Sequence, residues 1–204
     1  MNLSELIQGA KIWRAGEVAP KNGLATGFQA LDEALPNGGW PHGLTEILVP
    51  EFGVGAMRLI VPALAQLSHN NAWIIWVKPP QMPYAPGLET AGVDLQHSLI
   101  VDLPEEKNDS SEALWVFEQA LRFGDCGAAL FWHDDISALS LRRLQLAAEV
   151  GHTWGVIFRG VQYAEHASSA NLRIKIQKED CSRAQLEIIK ARGGRWPRQC
   201  QVEF

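Results

Sequence analysis

A stretch that could bind phosphate runs from Leu44 to Arg58. Leu44 to Val49 is apolar and β-branched, which predicts a buried strand. The loop residues Pro50, Glu51, Gly53 and Gly55 follow, and Ala56 to His69 reads as a helix that must accommodate Pro62. Strand, glycine-containing loop and helix N-terminus together can aim backbone N–H groups at an anion. A second candidate is His133-Asp134-Asp135, at the carboxyl end of the predicted strand Gly127 to Trp132, where open α/β sheets place their ligands. Such a run can bind a metal, act as a base, or simply be solvated. The third is the most basic stretch, Lys190-Ala191-Arg192-Gly193-Gly194-Arg195-Trp196-Pro197-Arg198. Cations around an aromatic suit phosphate contact with base stacking, an anchor in a protein partner, or a plain turn before a last strand.

Thr26-Gly27, Leu31-Asp32, Gly38-Gly39-Trp40-Pro41, Gly43 and Pro50-Glu51 resemble the RecA family around its first core strand, and Gly92-Val93-Asp94 falls in the same register. That family needs Gly-x-x-x-x-Gly-Lys-Ser/Thr, with the lysine on the phosphates and the hydroxyl on magnesium. Here Ala56 stands at the lysine position and Met57 at the hydroxyl position, while the glutamate that activates water falls on Pro80. Asp134 matches the Walker B acid. The resemblance therefore implies a RecA-like core with a degenerate loop, no cofactor, no metal and no enzymatic activity; Arg58 reads as a surface residue rather than a substitute lysine.

The chain has 204 residues and a formal net charge of −5, so no global positive field draws it onto nucleic acid, and direct DNA binding is expected to be weak or absent. Its three cysteines lack zinc-type spacing and are expected to stay reduced. No stretch has the length and apolarity of a membrane span or export signal, which predicts a cytoplasmic protein without membrane contact. Eight tryptophans are many for this length. Trp73, Trp76, Trp132 and Trp154 lie in apolar runs and read as core; Trp13, Trp40 and Trp196 lie in polar or terminal settings and read as interface residues.

The elements that must position these residues follow in order. Leu3, Leu6, Ile7 and Ala10 have helical spacing, which predicts an amphipathic helix and linker over residues 1–22, ahead of a core domain over 23–204 with a basic tail. Further strands are predicted at Ala72 to Val77, His97 to Val101 and Gly155 to Phe158, with helices over Glu112 to Phe123 and Ser140 to Val150 and loops at Lys78 to Glu89 and Arg159 to Ala170. This alternation predicts an α/β fold: a mainly parallel twisted sheet of RecA-like type, covered by helices on both faces, with a C-terminal antiparallel hairpin from Leu172 to Ala191.

Two bacterial groups share a RecA-like core without its P-loop chemistry: SulA, an inhibitor of cell division, and ImuA, an accessory protein of SOS mutagenesis. Chain length and the region upstream of the first strand favour the ImuA family. That resemblance implies a non-catalytic factor in translesion DNA synthesis, partnered by RecA and the polymerase-like ImuB, and self-association is a further expectation. Leu6, Ile7, Trp13, Lys190, Arg192, Arg195, Trp196 and Arg198 are the expected contact residues. The alternatives are a SulA-like inhibitor that binds FtsZ, or a divergent ATPase using Arg58 and Asp134.

Overall fold

The computed structural model of the protein describes residues 22–50, 54–103, 110–179, 182–194 and 196–204. A short helix α1 (Gln29–Ala34) precedes strand β1 (Gly43–Val49), which is buried at every position. Helix α2 (Val54–His69), β2 (Trp73–Val77), a short helix α3 (Ala85–Thr90), β3 (Ser98–Val101), α4 (Ser110–Arg122), β4 (Cys126–Trp132), α5 (Ala138–Gly151) and β5 (Trp154–Gly160) follow. Three strands end the chain without a helix between them: β6 (Leu172–Glu179), β7 (Arg183–Ala191) and β8 (Arg198–Glu203).

All eight strands form one sheet in the order β3-β2-β4-β5-β1-β6-β7-β8. Pairing is parallel from β3 to β6 and antiparallel for β6–β7 and β7–β8. Strand alternation divides the core. Ile47, Trp76, Leu130 and Phe158 pack with Leu59, Ile60, Ala63 and Leu64 of α2 on one face, while Ile75, Phe131 and Ile157 pack with Phe117 and Leu121 of α4 and Leu141 and Leu144 of α5 on the other.

The expected RecA-like core is corrected by this architecture. The sheet is mixed, its last three strands form an antiparallel meander rather than one hairpin, and helical cover is sparse, with only the short α1 packed on β8. The physical reason is a break in the pattern: alternation of strand and helix stops at Gly160, and a sheet extended by consecutive hairpins has no crossover helices to cover it. Lys78 to Glu89, expected as a loop, holds the start of α3, a helix that buries no residue and so leaves no apolar periodicity.

A carboxylate lies inside the sheet. Glu46 on β1 is fully buried and forms ion pairs with Arg159 on β5, at 2.9 Å, and with Arg173 on β6, its direct cross-strand partner. The remaining guanidinium donors go to backbone carbonyls. Arg159 donates to the Asp134 carbonyl through Nε (3.0 Å) and Nη2 (2.6 Å), and Arg173 donates to Tyr163 O (2.8 Å), Ala164 O (2.9 Å) and His166 O (3.1 Å). One buried charge therefore fixes three strands and two loops. Replacing Glu46 with Ala leaves two arginines buried without a counter-charge, and urea denaturation is expected to show a loss of about 3–5 kcal/mol.

Candidate protein-interaction surface

The phosphate-binding reading can be set against geometry at its described residues. Ala56 is core, in the first turns of α2, and Met57 packs against the same core. The Arg58 guanidinium lies 4.3 Å over the ring of Phe204, a cation–π contact directed at the C-terminus. Pro50 and Pro80 are exposed, and Gly55 is the second residue of α2, whereas Glu51 and Gly53 lie outside the described residues. Asp134 has structural bonds: its Oδ1 accepts from Gly160 N at 2.6 Å, and its carbonyl takes both arginine donors described above. His133 stacks on Phe131, and burial, the leading cause, lowers its pKa; no cluster able to hold a metal exists among the described residues.

The basic stretch is knitted into the fold. Lys190 Nζ donates to Ser168 O (2.7 Å), Arg192 pairs with Glu149 (3.0 Å), and Arg198 Nη1 donates to Ala34 O (3.1 Å). Trp196 Nε1 donates to Ala191 O, and its ring packs on the core. Arg195, like Leu6, Ile7 and Trp13, lies outside the described residues. The interface expectation for Trp40 is corrected: it is fully buried and stacks on Trp154 at 5.0 Å, because Leu24 pairs with it through backbone hydrogen bonds and closes the turn over the core.

Two exposed apolar side chains stand on β3, at one end of the sheet order. Among the described residues β3 pairs with β2 alone, so one row of its backbone groups is unpaired by strand there. Leu99 and Ile100 alternate across this edge, and both are exposed. Met82 and Tyr84 are exposed in the chain that leads into α3. Tyr84 caps α3 and folds over Gly87, where a Cβ would stand 2.9 Å from its ring. Below α3, Leu88 and Val93 hold the segment to the core, and Ser68 of α2 accepts from Asp94 N at 3.0 Å.

Asp94 then sets the start of β3. Its carboxylate accepts from Gln96 N (2.9 Å) and pairs with His97 Nδ1 (3.1 Å), and these bonds, the backbone one first, hold its pKa below the usual carboxylate value. The His97 ring meets Trp73 edge-on at 5.8 Å. Leu99 and Ile100 on β3 and Met82 and Tyr84 ahead of α3 are the exposed large apolar residues of this part of the chain, none of which the sequence singled out. The available signal was three apolar residues in succession on a four-residue strand, and the exposure of Leu99 and Ile100 depends on the strand being last in the sheet order.

Fold and edge together describe an α/β protein with a braced, solvent-facing apolar surface. Residues 44–155, more than half of the chain, match the family described as "Cell division inhibitor SulA". The chain is similar to the cell division inhibitor SulA of Serratia proteamaculans (strain 568), at 30% identity over 125 residues, covering 60% of this chain and 71% of that protein. It is also similar to SulA of Edwardsiella piscicida, at 28% identity over 116 residues, 54% of this chain and 67% of that one. Among solved structures, SulA from Pseudomonas aeruginosa aligns with a TM-score of 0.46 and 24% identity over 58% of this chain and 98% of that one. The chain belongs to the SulA family.

This overturns the ImuA expectation, and with it translesion synthesis, SOS mutagenesis and the RecA and ImuB partners. The physical reason lies in what the RecA-like motif residues do. Gly27, Gly43 and Gly92 have φ of 87°, 101° and 89°, a region that favours glycine, and the Thr26 Oγ accepts from Phe28 N at 3.1 Å. These residues fix backbone turns and carry no information about a partner. The family is described by inhibition and not by a catalysed reaction, in line with a non-enzymatic protein. No helix of the described residues is long and apolar enough to cross a membrane.

Asp134 offers a direct check of its structural role. Asp134→Asn keeps an oxygen acceptor for Gly160 N but removes its charge, so the expected loss of stability is about 1 kcal/mol by urea denaturation.

Proposed function

We propose that this chain is a cytoplasmic, non-catalytic inhibitor of cell division in the SOS response, which binds FtsZ through the β3–α3 edge and limits its polymerisation. The observation that carries this reading is the SulA match over residues 44–155, a span that includes the whole of that edge. The chemistry of the edge supports it. Apolar side chains on a rigid support lose little conformational entropy on docking, and the open strand edge adds backbone donors and acceptors. Of the basic stretch, Arg192 is exposed and stands well away from β3 in the sheet order, as a secondary contact at most.

The loop after β1 is taken to be without nucleotide chemistry, since Ala56, Met57 and Pro80 occupy the lysine, hydroxyl and glutamate positions of the RecA resemblance. Support comes from Ala56 being core and from Arg58 lying on Phe204.

The test is GTP-driven assembly of purified FtsZ, followed by light scattering and sedimentation. Slowed or reduced polymer is expected at near-stoichiometric protein. Leu99→Asp and Tyr84→Ala should each weaken the effect about tenfold or more, the scale of a lost apolar anchor, with little change in melting temperature because both side chains are exposed. Unchanged FtsZ assembly with the wild-type chain would refute the proposal. For the loop, magnesium ATP is expected to leave the melting temperature unmoved, whereas a ligand held by the folded state alone would raise it with concentration.

A further inference from the structure

Helices α4 and α5 share an outer apolar face that nothing among the described residues covers. The inner side of α5 buries Leu141, Leu144, Ala147 and Ala148, while Leu139 is 80% exposed, Leu146 52% and Val150 69%. With 3.6 residues per turn, Leu139, Arg143, Leu146 and Val150 fall on a single line. Arg143 is drawn sideways to Glu118 of α4 at 2.8 Å, which leaves its aliphatic stem on that line. Trp115 of α4, exposed by 58%, extends the face. α4 and α5 each connect parallel strands and so run in the same direction. Trp115 stands one turn before Glu118 and Leu139 one turn before Arg143, so the ion pair sets the two at one level. The result is an apolar strip about 16 Å long, from Trp115 and Leu139 to Val150. A strip of this kind on a folded domain calls for an occupant.

The chain carries a segment that matches it. Residues 1–21 lie outside the described residues, and within them Leu3, Leu6, Ile7, Ala10 and Trp13 have the spacing of one helical face. As a helix, Leu3 to Trp13 measures about 15 Å, the length of the strip. The point where the chain enters the fold sets the direction. Gly23 N donates to Asn37 O and Leu24 pairs with Trp40; two residues further on, the His42 ring meets that of His152, directly beyond the C-terminal end of α5, at 6.5 Å. The chain thus enters at the Val150 end. Arg14 to Asn22 reach about 30 Å when extended, enough to bring Trp13 to Val150 and Leu3 to Leu139. The charges agree with that direction. Glu5 comes level with the exposed Arg142, and Lys11 and Arg14 with the exposed Glu149, whereas the opposite direction sets like charges level.

We propose that residues 3–14 form an amphipathic helix that docks on the α4–α5 face of its own chain, parallel to α5 along Leu139, Leu146 and Val150. The α4–α5 layer covers the middle of the sheet, whereas β3 is at its end, so a docked segment leaves the β3 edge free. This inference does not rest on which partner that edge takes.

Hydrogen–deuterium exchange of the full chain, at low and at high protein concentration, tests the proposal. An isolated helix of this length is marginal in water, so slow exchange requires docking. The amides of residues 4–14 are expected to exchange at least about tenfold more slowly in the wild-type chain than in Leu146→Glu, which places a charge in the strip. Leu6→Glu, made on the segment itself, is expected to release it equally and keeps the test valid if Leu146→Glu disturbs α5. Release in these variants, with exchange in β1, β4 and β5 unaltered, supports the docking. Unprotected exchange of residues 4–14 in the wild-type chain overturns it. Protection indifferent to Leu146→Glu also overturns it, since the segment would then lie elsewhere, as does protection that appears only at high concentration, which would place the segment on another copy.

Discussion

The pairing of one buried carboxylate with two guanidinium groups is the constraint on which the rest of this structure depends. An ionised Glu46 without partners would cost far more than a small domain can tolerate. Two arginines more than neutralise it, and their surplus donors must then be satisfied. The carbonyls of Asp134, Tyr163, Ala164 and His166 do this, which draws the loops after β4 and β5 down onto the sheet. The Arg159 guanidinium also lies 4.5 Å over the Tyr163 ring, closing the same loop from above. Order at the carboxyl ends of the strands is thus a consequence of satisfying one charge, and it is the backbone carbonyl of Asp134 that serves it, while the carboxylate of that residue holds Gly160 N.

How much of this was legible follows from what each residue responds to. Elements defined by burial were plain: β1, β2, β4 and β5 are apolar runs, and the strands and long helices begin and end within a few residues of where periodicity puts them. The fold class was not, because strand order is set by tertiary contacts. The network was only half legible. A Glu inside an apolar strand demands a partner wherever the strand is buried, but nothing local says that Arg159 and Arg173 supply it from far along the chain. The tryptophans divided the same way. Trp154 reads correctly from its run, whereas Trp40 sits among Gly38, Gly39 and Pro41 and looks exposed until the turn is closed over it.

The RecA-like motif misled for a related reason. A glycine at positive φ records a turn, and the same turn can precede a phosphate site, a binding surface or neither. What separates these outcomes is side-chain chemistry at a handful of positions. Here that chemistry points to packing: Ala56 in the core, Met57 against it, and Arg58 stacked on an aromatic ring. The family matched over β1 to the start of β5 is named for inhibition.

Among the described residues, the two edges of the sheet are protected in different ways. An exposed strand edge invites unwanted pairing, and proteins blunt it with charge, brevity or cover. β8 carries Arg198 and Glu203, alternates polar residues outward, and has α1 packed on it. β3 is short, which limits promiscuous pairing, yet it presents Leu99 and Ile100. The chain beyond residue 155 adds to the contrast, since β6 pairs with β1 along Thr45 to Leu48 and brings Arg173 to Glu46, so that side of the sheet is closed by the residues that neutralise its buried charge. One edge of the sheet is spent on stability. The other is short and apolar, and the docking proposed for it would take Leu99 and Ile100 out of water.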